Sequence, residues 1–408
     1  MSSTPGNMPL WPAALATGAF CPHGNFAISG AASGSLKGLA FAVKDIFDIA
    51  GRVTGCGNPD WLASHQPASR HAPVVQALLD AGADMLGKTI TDELAFSLNG
   101  QNFHYGTPRN AATPDRIPGG SSCGSASAVG HGVVDFALGS DTGGSVRIPA
   151  ALNGIFGIRP SHDAVDSNGV MPLARSFDTV GWFARRADVL RRVGEVLLPP
   201  DRAGIALHRF MPVRDAFALA DAAVAAAVRA TLSRAAEVLP LSDEIDLAGT
   251  TGGLGEWLRR FRRLQPREIW AEHGSWVEAC RPGFGPEIAE RFNLAKSVAQ
   301  TSPGDDQEFR AKVAAHLDGV LGQDGVLLMP TAGAIAPKLD ASTEELAQFR
   351  DRTLSLTAIA GLGRLPQVQI PAGLVDGAAI GLSLIGPRGS DRALLALAQS
   401  VAARLEAS

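Results

Sequence analysis

Two glycine-led serine stretches dominate this chain. The first is Pro118-Gly119-Gly120-Ser121-Ser122-Cys123-Gly124-Ser125, and the second is Gly139-Ser140-Asp141-Thr142-Gly143-Gly144-Ser145-Val146-Arg147-Ile148-Pro149. Each places a serine directly after a glycine pair, with Ser121 and Ser145 24 residues apart. Consecutive glycines have no Cβ and reach positive φ readily, so successive backbone N–H groups can converge on one concavity. A serine at the end of such a run has the surroundings a nucleophile needs, with donors in place for a tetrahedral oxyanion. The backbone N–H groups of Thr142, Gly143 and Gly144, with that of Ser145, are the candidate donors. One Gly-Gly-Ser is an ordinary turn; two, the second followed by Arg-Ile-Pro, form a constellation.

A serine nucleophile also needs a base. The nine histidines are scattered, with no H-E-x-x-H and no G-x-S-x-G. The candidate is Lys44, set in the apolar run Ala40-Phe41-Ala42-Val43-Lys44-Asp45-Ile46-Phe47. Burial disfavours an ammonium ion, lowers its pKa and favours the neutral amine that base catalysis requires. Alone, such a lysine reads as salt-bridged; beside the serine stretches it reads as catalytic.

These segments resemble the amidase signature family, whose core reads G-G-S-S-x-G-S followed by D-T-G-G-S-x-R-x-P. The resemblance runs from about residue 39 to 386 and is most specific over 118–160. It implies an α/β amidase signature fold, a large mixed central β-sheet flanked by helices on both faces, and a Ser-cisSer-Lys triad. Residue by residue the triad falls on Lys44, Ser121 and Ser145, with a cis bond between Gly120 and Ser121. The implied chemistry is hydrolysis of a small amide to carboxylate and ammonia through an acyl-enzyme, without cofactor or metal. Asp141 and Arg147 are expected to hold the loop by pairing. Cys123 departs from the commonest pattern, in which glycine or serine stands there; it is expected to be a small buried side chain, and a point of sensitivity to thiol reagents.

The segments 43–61, 104–110 (His104-Tyr-Gly-Thr-Pro-Arg-Asn110), 159–162 and 176–183 are similar to plant-type indole-3-acetamide hydrolases. That suggests an aryl-acetamide-like substrate. Phe96, Ser97 and Asn99, ahead of the first serine stretch, are expected in the substrate pocket. Two other readings stay open: an ammonia-generating amidotransferase subunit, and a non-catalytic amidase-like binding module, which predicts a damaged triad and attached helical repeats.

The remaining sequence bounds the setting. Of 408 residues, 46% are hydrophobic and 19% charged, and the net charge is −4, so neither a nucleic-acid nor a membrane partner is expected. Four dispersed cysteines with no C-x-x-C suggest reduced thiols in the cytoplasm. The partner expected is a small-molecule amide; a homodimer is compatible with the sequence. Prolines 5, 9, 12 and 22 interrupt any leader-like apolar run.

Along the chain, residues 1–36 read as an irregular lead-in to a single domain spanning 1–408. Strands are expected at 39–47, 84–89, 135–139, 325–329, 366–370 and 379–385. Helices are expected at 72–81, as long alanine-dense segments over 216–239, and at 391–405 with Ser390 as N-cap. Residues 190–320 are expected to be a helical, pocket-shaping segment, in which Arg259, Arg260, Arg262 and Arg263 form a solvated helix face. The run Gly82-Ala-Asp-Met-Leu-Gly87-Lys88-Thr89 matches the nucleotide P-loop pattern in full. Here, however, a helix precedes the glycine and a strand follows, the reverse of the order that binds phosphate. Thr91-Asp92-Glu93 is expected to cap a following helix.

Overall fold

The computed structural model describes residues 16–407. Ten strands form one mixed sheet: β1 (Ala27–Ile28), β2 (Ala40–Lys44), β3 (Asp84–Thr89), β4 (Phe136–Ser140), β5 (Phe156–Arg159), β6 (Val180–Ala184), β7 (Arg209–Pro212), β8 (Gly325–Pro330), β9 (Gln367–Val375) and β10 (Ala378–Ile385). Their spatial order is β1-β3-β2-β4-β6-β5-β9-β10-β8-β7. Pairs β2–β3, β2–β4 and β7–β8 are parallel and the rest antiparallel. The two halves of the chain join where β5 meets β9, with Gly157 opposite Gln369.

Strand alternation sends successive side chains to opposite faces. Phe41 and Val43 of β2 enter one core with Phe136, Leu138 and Trp182, while Ala42 enters another with Ala137 and Phe183. In β8, Val326 and Leu328 face the first core; Leu327 and Met329 face a third, shared with the helices Gly253–Cys280 and Thr343–Gly363. Both faces are therefore covered by helices, which is why the central strands read as continuous apolar runs.

Local sequence explains most boundaries. Pro73 opens the helix Pro73–Asp80 with its ring-fixed φ, and Gly82 separates that helix from β3. Lys88, the lysine of the P-loop-like run, is fully buried against Asp45 at 3.0 Å, so a helix–glycine–strand connection is what that run forms.

Four expectations are corrected. The described part of the lead-in supplies the edge strand β1, which pairs with β3 through Ala27–Leu86 and Ile28–Met85. The alanine-dense segment is two helices, Arg214–Leu219 and Ala222–Arg234, because the chain turns extended at Ala220 and Asp221. Thr91-Asp92-Glu93 opens only the short 3₁₀ turn Glu93–Ala95, and the Asp92 carboxylate turns away to accept from Gly100 N–H at 3.2 Å. Ser390 precedes the helix Asp391–Glu406, but its hydroxyl donates to the Pro387 carbonyl instead of capping.

Candidate active site

Parallel pairing of β2 with β4 brings the first elements together. The register Val43–Leu138 puts the C-terminal ends of both strands side by side. Lys44 and Ser140 are those ends, and Lys44 Nζ donates to Ser140 Oγ at 2.8 Å. Its other contact is Ser121 Oγ at 2.7 Å. Ser121 stands just before the helix Cys123–Gly130, after a cis peptide bond from Gly120. Lys44 and Ser121 are both wholly shielded from solvent, and burial lowers the Lys44 pKa to about 8.

The second serine stretch follows β4 directly. Ser145 precedes the helix Arg147–Leu152 and, with Thr142 and Gly143, lines a cavity of about 340 Å³. The two stretches touch through backbone: Ser122 N–H donates to the Ser145 carbonyl at 3.3 Å. Among the described residues no hydrogen bond joins the Ser145 and Ser121 hydroxyls.

Asp141 shapes the loop between. Its Oδ1 accepts from Arg147 Nη2 at 2.6 Å and Gly144 N–H at 3.0 Å; its Oδ2 accepts from Arg147 Nε at 2.9 Å and Val146 N–H at 3.0 Å. The expected Asp141–Arg147 pairing is present, and Arg159 joins it, donating to the Asp141 carbonyl at 2.6 Å. Despite burial, the two guanidiniums hold the Asp141 carboxyl well below the usual range. Gly144 has φ of +127°, and a Cβ there would lie 2.7 Å from Ile148 Cδ1, so the position requires glycine. Its N–H is already taken by Asp141, which removes Gly144 from the expected oxyanion donors. The amides of Thr142, Gly143 and Ser145 have no such partner among the described residues.

Of the expected pocket residues, Phe96 and Ser97 line the cavity. Asn99 does not: its side chain lies behind the wall, donating to Glu287 at 3.3 Å. Cys123 is fully buried, its thiol pKa raised by burial, which corrects the expected sensitivity to thiol reagents. The arginine run divides. Arg260 and Arg263 pair with Asp306 and Arg259 with Glu256, but Arg262 lines the cavity.

The sequence reading missed several participants. Ser140 stands in the second serine stretch, yet only strand register reveals it as a Lys44 partner. Asp92 is wholly buried beside the cis bond: its N–H donates to the Ser121 carbonyl, and a Cβ on Gly120 would meet Asp92 Oδ2 at 2.1 Å. Burial, then Glu287, raise its pKa to about 7. Asp178 accepts from the Thr142 hydroxyl at 2.6 Å.

Comparison with known proteins gives the family. The family model described as "Amidase" matches residues 10–248. This chain belongs to the amidase family. Amidase 1 of Arabidopsis thaliana is 43% identical over 90% of this chain and 93% of its own. The chloroplastic outer envelope protein 64 of the same plant is 36% identical over 90% of this chain, which spans 66% of that relative. A solved structure titled "Crystal structure of amidase" superposes with a TM-score of 0.78 at 30% identity, covering 91% of this chain and 85% of the other. The protein is thus an amide hydrolase of this family. No helix among the described residues is long and apolar enough to cross a membrane.

Among the described residues, Cys21, His23 and Asp45 form the one close group of three potential metal ligands. Asp45 is already paired with Lys88 at 3.0 Å and His23 at 2.7 Å, so a cation there would compete with a buried ammonium. The group lies apart from the cavity.

Proposed function

We propose that this amidase hydrolyses small, aryl-acetamide-like primary amides through an acyl-enzyme, with Ser145 as nucleophile, Ser121 as proton relay and Lys44 as base. The observation that carries this reading is the 2.7 Å contact between Lys44 Nζ and Ser121 Oγ, both buried, next to the cavity that Ser145 lines. Ser140 holds the amine from its other side, which supports a fixed lone-pair direction toward Ser121.

In this mechanism neutral Lys44 takes the Ser121 proton as Ser121 takes that of Ser145. Ser145 Oγ bonds to the amide carbon, and the amides of Thr142, Gly143 and Ser145 receive the oxyanion. The proton returns through Ser121 to the leaving nitrogen, the C–N bond breaks and ammonia departs. Water then adds to the ester by the same relay, releasing carboxylate and restoring Ser145. Hydrogen bonds between catalytic groups commonly tighten only when substrate binds, which accommodates the unmade Ser121–Ser145 contact. Apolar walls from Phe96, Leu98, Leu173 and Leu354 suit an aryl or alkyl acyl group. The unpaired thiols fit a reducing compartment, and we place the protein in the cytoplasm.

The test is ammonia release from indole-3-acetamide, phenylacetamide, benzamide and short aliphatic amides. Arylacetamides are expected to react fastest and Ser145→Ala to be inactive though folded. Retained turnover in Ser145→Ala would remove the nucleophile assignment.

A further inference from the structure

The cavity beside Ser145 has apolar walls but a cationic rim. Arg262, Arg291 and Arg350 all line it, from three different helices: Gly253–Cys280, Pro286–Gln300 and Thr343–Gly363. Arginine pairing accounts for part of this charge. Arg262 is paired with Asp351. Arg291 is paired with Glu287 at 2.7 Å, its guanidinium 5.8 Å from the Phe96 ring.

Arg350 is different. Its only hydrogen bond among the described residues goes to Glu287 Oε1 at 3.4 Å, the oxygen that already serves Arg291. That oxygen also receives Ser97 Oγ at 3.4 Å and Asn99 Nδ2 at 3.3 Å. Two carboxylates thus face three guanidiniums, and one positive charge is left over at the cavity. A guanidinium offers five N–H donors in a planar fork suited to a carboxylate. Arg350 has spent one of them, on a long bond, while its side chain is only 26% exposed. Burial and the neighbouring Arg291 lower its pKa to about 10, so it is charged at neutral pH, and the carboxylate it reaches, Glu287 at 3.4 Å, is shared with Arg291.

We propose that the acyl pocket recognises amides carrying an anionic group, a carboxylate, at the end of the acyl chain remote from the scissile bond, with Arg350 as the pairing residue. The apolar walls take the middle of the acyl group, and the cationic rim takes its far end. This rests on the amide-hydrolase reading of Ser145 and narrows its substrate class.

The experiment compares matched pairs on the full chain. Malonamate, succinamate, glutaramate and adipamate are each set against the alkanamide with a methyl group in place of the carboxylate. The rigid pair 4-carboxyphenylacetamide and 4-methylphenylacetamide is added. One length in the series, or the aryl acid, is expected to show kcat/KM about 10–100-fold above its neutral partner, mainly through KM, as for a hydrogen bond to a charged group. Raising the salt concentration should shrink that preference. Arg350→Gln should abolish it, the acid losing more kcat/KM than its neutral partner. Neutral amides preferred throughout, or equal effects of Arg350→Gln on both members, would overturn the proposal and leave the hydrolase reading intact. If Arg350→Gln fails to fold, the wild-type pairs and their salt dependence still decide. If no amide reacts, binding of the same pairs to Ser145→Ala by calorimetry decides: tighter binding of the acids supports anion recognition, equal or weaker binding overturns it, and the lost turnover counts against the hydrolase reading alone.

Discussion

Lys44 Nζ sits 2.7 Å from Ser121 Oγ with neither side chain reaching solvent, and burial brings the amine's pKa down to about 8. Only the neutral amine can take the Ser121 proton. The rate should therefore be lost as pH falls through about 8, by about tenfold per unit below it. A kcat/KM profile from pH 6 to 10 on any turned-over amide checks this; a flat profile through 7–9 would remove Lys44 as the base.

Asp92 tests the same point from the other side. Its charge is the leading influence raising the Lys44 pKa against burial. Asp92→Asn removes that charge, so the Lys44 pKa should fall further and the acid limb should move to lower pH, by about half a unit to one unit. An acid limb that stays put, or moves up, contradicts the coupling.

Ser140 holds Lys44 from the opposite side at 2.8 Å. Ser140→Ala should leave KM nearly unchanged and lower kcat by about tenfold, the value of one buried hydrogen bond that fixes the base. A change confined to KM would place Ser140 in substrate binding instead.

The Asp141–Arg147–Arg159 group is fully buried. Asp141 is the carboxylate both guanidiniums share, so Asp141→Asn leaves two buried positive charges without it and should destabilise the fold by about 3–5 kcal/mol, read from denaturant melts. The Asp141 carboxyl titrates below its unfolded value. Its contribution is therefore complete above the ordinary carboxylate pKa and lost as pH falls through the depressed folded one. Wild type should lose stability on acidification, and Asp141→Asn should show a shallower loss.

Of the four cysteines, Cys21, Cys56 and Cys123 are buried and Cys280 is exposed. A thiol reagent on the native protein should label Cys280 alone and leave activity unchanged, because the thiols that lie near Lys44 are inaccessible and their pKa values raised. Mass spectrometry of the labelled protein and of Cys280→Ser checks both parts.

Much of the site was legible because it is local in sequence. Glycine spacing around Ser121 and Ser145 speaks directly of backbone conformation, and a lysine in an apolar run speaks of burial; both hold wherever the segments lie. The Asp141–Arg147 pair was legible too, since six residues separate its members across one turn. Ser140 was not, because its role depends on β2 and β4 lying parallel in one register. Asn99 was misplaced for a related reason: position near the motif did not tell which way its side chain would point, and Glu287, 188 residues later, drew it behind the wall.

Strand and helix positions followed from periodicity, but the breaks at Ala220 and Asp221 and the edge strand β1 came from contacts that residues remote in sequence supply. The family and the α/β class were thus legible in the sequence alone, the first through its resemblance at the two glycine–serine stretches and the second through strand and helix periodicity. The tertiary structure decided which amides remain free for an oxyanion and which cations face the cavity. Gly144 lost its N–H to Asp141, and Arg350 was left sharing one carboxylate with Arg291. Those outcomes arise from competition among polar groups for partners in a crowded interior, and no local pattern encodes who wins it.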